Sequence, residues 1–349
     1  MSSPAIVAPE IRDLSELAAT LVSWLETKLC DASAVRLSNL SYPRGAGLSH
    51  ETILFDADWL EGGISQHRGM VVRIKPRRDV VFLDDMFDVQ YQLMQLMHDS
   101  GMVRVAKPLW IEHDASILGA PFFVMEKVLG RVAVTYPPYS REGWLFDSAT
   151  ADRRRMWEDA VRQLASIQRV PLSKAGFLSL PGNFAENFDQ EVDRWRRYLD
   201  WIDPGAAITV LRDCFDKLRV TRPTNRAAGI VWGDARLGNM MIGADYRVTA
   251  VMDWEQPSLG GALHDLGWWL CTDHMQTVIQ GIAPLDGMGT RAETISLWRE
   301  VSGKSADDID WYEALACFKL ECLTVRTATI RQIPNGMSPK PGYLLNRFF

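Results

Sequence analysis

The chain reads as an α+β protein in which strand-forming segments come first and helices follow. Three observations predict this. Between Ala34 and Glu126 the sequence offers short apolar or alternating runs bounded by glycine, proline or aspartate, the signature of strands and turns. Beyond Gly130 the apolar residues recur every three or four positions, which is the helical period. Within the helical part, Gly229–Glu255 stands apart as a loop and hairpin that delivers polar side chains at strand ends.

Residues 13–29 open the chain with an amphipathic helix, Leu14, Leu17, Ala18, Leu21, Val22 and Leu25 sharing a face and Asp13 with Glu16 forming a capping-box pattern. Ala34–Leu60 reads as strand, small-residue turn, strand. Gly45 and Gly47 in that turn let backbone N–H groups come close to an anion, and Ser49 adds a hydroxyl. The turn is neither a P-loop nor a dinucleotide fingerprint, because G-x-x-x-x-G-K-[ST] occurs nowhere and a third glycine is missing. A strand over Gly69–Pro76 carries Arg73 and Lys75 on one side. A helix follows at Phe87–His98, then strands over Val103–Ile111 and Ala120–Glu126 with a turn at Asp114–Gly119. Helices are expected over Asp152–Val170, Phe188–Leu199, Ala207–Val220, from His264, Arg291–Val301 and Asp310–Ile330.

The stretch Gly229–Glu255 holds the chemistry. An apolar run, Ile230–Trp232, leads into a loop with Asp234 and Asn239; Met240–Ile242 and Arg247–Met252 form the hairpin, ending on Asp253-Trp254-Glu255. A carboxylate, an amide and a second carboxylate suit one task well: taking a hydroxyl proton and holding Mg²⁺ on a nucleotide. The plainer alternative is that Asp234 and Asn239 are turn residues and Asp253 closes a strand.

Asp234, four intervening residues and Asn239 reproduce the spacing of the protein-kinase catalytic loop, and Asp253 after the hairpin completes that metal site. The motifs resemble those of the aminoglycoside phosphotransferase family of kinase-like small-molecule kinases. The nearest branch contains the kinase-like N-terminal domain of certain acyl-CoA dehydrogenase fusions. Trp232 stands where that family has histidine, and Gln168 where it often has another. The resemblance implies a protein-kinase-like two-lobed fold with a small antiparallel-sheet N-lobe (1–125), a hinge (126–130) and a mostly helical C-lobe (131–349). It implies Asp234 as base and Asn239 and Asp253 as metal ligands. Arg73, or else Lys75, would be the phosphate cation, with Ser49 in the phosphate loop. Gln90 matches the helix glutamate that normally pairs with that cation, so either a neutral hydrogen bond or an acid among Asp84, Asp85 and Asp88 replaces the pair. The hinge would meet the base through the carbonyl near Glu126 and the amide near Val128, with Met125 beside it. Asp265 matches the aspartate that braces the loop, and is equally a helix cap. Arg236 either neutralises the moving phosphoryl group or bridges to Glu255 or Asp265.

The expected cofactors are therefore ATP or GTP with Mg²⁺, and the partner a hydroxyl-bearing small molecule. A kinase-like module that binds nucleotide or metabolite without transfer is the alternative, prompted by Gln90 and Trp232. A polycationic acceptor would need clustered acids, for which Asp189, Glu191, Asp193 and Asp273 are available; an aromatic or acyl-bearing alcohol would suit Trp268–Met275 and Trp298. At 349 residues, 47% apolar and 23% charged, the chain has the composition of a soluble globular protein. Its net charge of −6 argues against general nucleic-acid binding. No run approaches a membrane span, the N-terminus lacks a secretory pattern, and five scattered cysteines without a C-x-x-C pair fit reduced thiols in the cytoplasm.

Overall fold

The computed structural model describes residues 12–43, 50–76, 81–179, 184–203, 205–206, 208–224, 226–333 and 340–349. The chain divides into two compact units, one made of Met1–Phe82 with Ala106–Val128 and the other of Leu83–Val105 with Leu129–Phe349.

The first unit begins with α1 (Leu14–Lys28), which Asp13 caps by accepting the N–H groups of Ser15 and Glu16. Strands β1 (Ala32–Ser41), β2 (Glu51–Glu61) and β3 (Ile64–Ile74) follow. A sheet of order β1-β2-β3-β5-β4 is completed by β4 (Pro108–Glu112) and β5 (Phe122–Glu126), and each neighbouring pair is antiparallel. Along β2, Ile53, Phe55, Ala57 and Trp59 are buried and the residues between them are half-exposed, the alternation of a sheet covered more heavily on one face. The cover is α1: Leu17, Leu21, Trp24 and Leu25 join Ile53, Phe55, Met70, Val72, Phe122 and Val124 in one core.

Between Glu61 and Ile64, which pair, lie only Gly62 and Gly63 at φ of 56° and 80°. Two consecutive positive φ values make the tight hairpin turn whose twist matches the strands, and only glycine adopts them without penalty. Arg73 therefore sits on an interior strand, between Thr52 of β2 and Phe123 of β5, and is buried. The expected turn Asp114–Gly119 is a single helical turn, α3 (Ala115–Leu118), capped by Asp114 and closed by Gly119.

The second unit takes in α2 (Phe87–Ser100) and then the small antiparallel sheet β6-β7-β8, formed by Arg131–Val132, Met240–Ile242 and Val248–Val251. The rest is helical among the described residues: α4 (Thr150–Ser166), α5 (Phe184–Ile202), α6 (Thr209–Val220), α7 (His264–Gln276), α8 (Arg291–Ser302) and α9 (Ile309–Ile330). The first half of α9 is buried around most of its circumference, as a central helix must be. Its Lys319 meets the Glu191 carboxylate of α5 at 2.9 Å. Burial alone would raise the Glu191 pKa, but Lys319 and Arg194 outweigh it and hold the carboxyl down at about 2. Trp298 is fully buried, so its place is the core and not an acceptor pocket.

Helices α7 and α9 approach closely where Gly267 faces the backbone of Tyr312; a Cβ there would lie 2.6 Å from the Tyr312 carbonyl carbon. Gly267→Ala must push one helix off the other. It should lower stability by roughly 1–3 kcal/mol in chemical denaturation. Gly176→Ala, where an added Cβ meets nothing within 4 Å, should stay within about 0.5 kcal/mol of the parent. Equal effects from the two substitutions would show that the α7–α9 approach is not the tight contact described.

Candidate functional site

The loop bearing Asp234 is held from below by α7. Asp265, almost fully buried, accepts the N–H of Trp232 at 2.7 Å and of Gly233 at 2.9 Å through its two oxygens. Burial pushes its carboxyl up to about 6, although both N–H groups pull in the other direction. Gly233 has a φ of 103°, and a Cβ there would collide with the Gln256 carbonyl oxygen, so the turn into Asp234 requires glycine. The Trp232 indole, where the sequence lacks histidine, donates to the carbonyls of Met252 (2.8 Å) and Asp253 (3.1 Å). It thereby ties the loop to the far end of β8. Gln168 anchors the approach, donating to the Ile230 carbonyl at 2.7 Å.

Hairpin β7–β8 brings the remaining site residues to one end. Met240 pairs with Val251, and Met252 N–H donates to the Asn239 carbonyl at 2.9 Å, so Asn239 and Asp253 flank the same end of the ladder. Asp253 has a φ of 63°, a left-handed conformation unusual outside glycine. Asp159 of α4 fixes the hairpin from outside, accepting from Val248 N–H at 2.8 Å and from the Arg104 guanidinium at 2.6 Å.

Asp234 is surrounded by three donors. Arg236 Nε lies 3.2 and 3.0 Å from its two oxygens, Trp268 Nε1 donates to Oδ1 at 2.9 Å, and Asn239 Nδ2 donates to Oδ2 at 2.6 Å. The Arg236 guanidinium bonds Asp234 and the Thr135 hydroxyl (2.8 Å), while the Asp265 oxygens are taken by the N–H groups of Trp232 and Gly233. Burial would lower the Arg236 pKa, but the charges of Asp234, Asp253 and Glu255 carry it above its ordinary value. The bond from Trp268 to Asp234 and the part played by Thr135 escape sequence reasoning, for these residues lie 34 and 101 residues from the groups they touch.

The other expected residues divide between the units. In the first unit, Arg73 Nη2 lies 3.3 Å from His50 Nδ1, and the Lys75 N–H donates to the Pro121 carbonyl at 3.0 Å. Glu126 ends β5, with Val128 two residues beyond. Ser49, with Gly45 and Gly47, lies outside the described residues. In the second unit, Gln90 on α2 is fully buried and neither atom of its side-chain amide has a hydrogen-bond partner. Of the acids suggested to stand in for it, Asp84 is engaged by Arg194 (2.9 Å) and Arg197 (3.4 Å), while Asp85 accepts the Phe87 N–H at 3.2 Å. Two of the four acids proposed for a polycation already carry cations. Glu191 pairs with Lys319, and Asp189 meets Arg222 at 3.0 Å and Arg226 at 2.8 Å. Asp273 differs, lining a hollow next to Arg236, and burial pushes its carboxyl up to about 6.

A small antiparallel sheet unit, a helical unit, and a braced Asp–Asn–Asp loop and hairpin define a kinase-like phosphotransferase fold. The sequence profile of the phosphotransferase enzyme family matches residues 45–303, and the chain belongs to that family. It is 26% identical over 318 residues to acyl-CoA dehydrogenase family member 11 of Homo sapiens, a match covering 86% of this chain and 38% of that one. The chain spans about a third of the length of the curated relatives it matches. Among solved structures, a candidate aminoglycoside phosphotransferase of Ralstonia eutropha superposes with a TM-score of 0.67 at 24% identity over 94% of both chains. A type I macrolide 2'-phosphotransferase superposes with a TM-score of 0.57 at 17% identity over 91% of both. No described helix is long and apolar enough to cross a membrane.

Two measurements test the brace. Asp265→Asn leaves one of the two N–H groups without its acceptor, which should cost about 1–3 kcal/mol of stability. The pH dependence follows from direction. Asp265 and Asp273 titrate at about 6 in the folded chain against an ordinary 3.8, so between those values the folded chain holds protons the unfolded chain has released. Their contribution is complete below pH 3.8 and is lost as pH rises through about 6. Asp273→Asn should flatten that fall in denaturation profiles; a profile superposable on the parent's would rule out the burial of its charge.

Proposed function

We propose that the chain transfers the γ-phosphoryl group of ATP or GTP to a hydroxyl of a small molecule. The observation that carries this reading is the Asp234 carboxylate, fixed by Arg236, Trp268 and Asn239 while about a fifth of its side chain stays exposed. Those donors fix the direction of the carboxylate, and its exposed edge is where an alcohol O–H would reach it. Asp234 would orient that hydroxyl and take its proton, and positioning is most of what phosphoryl transfer asks of a protein. Arg236, already paired to the base, would offset charge on the moving group.

For Mg²⁺ the donor set fits in kind. Asn239 commits its Nδ2 to Asp234, which leaves Oδ1 as the amide's acceptor, and Asp253 supplies a carboxylate. Among the described residues no three His, Cys, Asp or Glu side chains form a metal-holding group. That suits Mg²⁺, which takes one or two protein oxygens and fills its remaining positions from phosphate and water. When bound, the ion would offset the negative charge of the phosphates. Arg73, with Lys75 as the alternative, is assigned to phosphate, the backbone of Glu126 and Val128 to the base, and Ser49 to the phosphate loop. Related folds have been solved as a GDP complex of an aminoglycoside 2'-phosphotransferase and as an amicoumacin kinase with AMP-PNP and Ca²⁺, which supports a nucleotide donor.

A second reading, a module that binds nucleotide with little transfer, is favoured by one observation: Gln90 is neutral and without a hydrogen-bond partner where such kinases have glutamate. One experiment separates the two. Release of ADP or GDP is followed over a panel of alcohols, with Asp234→Ala in parallel. The phosphotransferase reading expects kcat to fall by roughly 10²–10⁴ in Asp234→Ala with nucleotide affinity nearly unchanged, and Asn239→Ala and Asp253→Ala to need more Mg²⁺. An Asp234→Ala protein of near-parental rate sinks the assignment. Nucleotide-induced thermal stabilisation with no turnover on any alcohol favours the module.

A further inference from the structure

The second unit contains a shallow hollow, partly open to solvent, that begins at Arg236 and Gly238 and runs along α7. Its apolar wall includes Trp157, Trp269, Met275 and Met288. Its polar groups are few, and what they lack is informative. The Thr272 hydroxyl is committed to the helix carbonyls of Trp268 and Trp269, both at 3.0 Å. Arg236 turns its guanidinium to Asp234 and Thr135. Two carboxyl- or amide-type acceptors stand apart from these hydroxyls and the guanidinium. Asp273 receives only a long bond from Tyr139 at 3.4 Å. Gln276 is 6% exposed, and its buried Oε1 has no hydrogen-bond partner. A buried acceptor without a donor costs free energy, and the cost vanishes when a ligand brings the missing N–H.

Helix α7 also sets a length. Trp268 donates to Asp234, and Asp273 lies five residues further on, about 7.5 Å along the axis at 1.5 Å per residue. An ammonium can donate to two acceptors at once, whereas a hydroxyl donates once. We propose that this hollow is the acceptor subsite and that it selects an alcohol with an apolar body and a single amine. The amine would be held by Asp273 and Gln276, about one and a half helical turns from the hydroxyl presented to Asp234. A polycation is a poorer match, because Glu191 and Asp189, two of the other three acids available for it, already carry protein cations. The inference deepens the phosphotransferase reading and rests on it.

The test uses the full chain, Mg²⁺, and a matched set of alcohols: an aryl-alkyl amino alcohol, the same skeleton with methyl in place of the amine, the corresponding diol, and kanamycin. The amino alcohol should give the highest kcat/KM. Loss of the amine should cost roughly tenfold or more, through KM, as expected for a charge-assisted hydrogen bond. Asp273→Asn and Gln276→Leu should each raise KM for the amino alcohol by about tenfold, with kcat nearly unchanged and the methyl analogue indifferent. A merely structural role would move both substrates together. Preference for kanamycin, equal rates on amine and methyl analogues, or variants that leave their ratio untouched would overturn the subsite while leaving phosphotransfer standing. Product from no alcohol above the Asp234→Ala background would instead count against the phosphotransferase reading. In that case thermal stabilisation of Asp234→Ala by the amino alcohol, abolished by adding Asp273→Asn, still decides the subsite: stabilisation that persists in the double variant overturns it.

Discussion

The carboxylate of Asp265 accepts the consecutive N–H groups of Trp232 and Gly233 from its place in the first turn of α7, and the direction of Asp234 follows from those two bonds. A carboxylate buried this deeply resists ionisation, which is why its pKa rises to about 6. Two backbone donors partly compensate, and the geometry is rigid because both oxygens are occupied. Helix α7 then reaches the same site a second time. Trp268, three residues after Asp265, donates to Asp234 itself. One helix thus fixes both the backbone of the loop and the side chain it presents, and its packing on α9 through Gly267 carries that constraint into the core.

The residue at 232 shows how the constraint is kept when the chemistry of a side chain changes. An indole N–H can only donate. Trp232 uses it on the carbonyls of Met252 and Asp253, and the ring stacks obliquely at 5.6 Å from Trp254. The link between the loop and the end of β8 is therefore mechanical, and needs no titrating group. Asp253 is held there in a left-handed backbone conformation, which a short polar residue tolerates better than a branched one.

Much of this architecture was legible in the sequence, for reasons that are local. The α+β class followed from a switch in apolar period near Gly130, and helices such as α1 and α8 keep their expected bounds within a residue or two. Asp234, Asn239 and the hairpin to Asp253 were legible because spacing and turn residues fix them over about twenty positions. The Gly62–Gly63 turn carried its own signal, two adjacent glycines, and was overlooked. What the sequence hid is non-local. Asp159 supports the hairpin from 89 residues away, Thr135 holds Arg236 from 101, and no period or motif links such pairs. Trp298 illustrates the converse: composition makes a tryptophan a tempting pocket wall, and only packing reveals that it is sealed.

Charge gives the remaining constraint. Arg236 is half-buried, and burial by itself would discourage its charge; Asp234, Asp253 and Glu255 together overcome that penalty. The charges of three carboxylates act on this one guanidinium at the end of the hairpin. Like charges brought together in a partly desolvated site are costly, and the cost is relieved only by further positive charge. A divalent cation carried in with a nucleotide would supply that charge where Asn239 and Asp253 offer oxygen. Asn239 would contribute without adding to the repulsion, because its amide is neutral and donates to Asp234, and under the proposed reading its oxygen would serve the ion. An aspartate at 239 would offer the same oxygen but would place a second anion against Asp234, so the neutral side chain is the one that satisfies both demands.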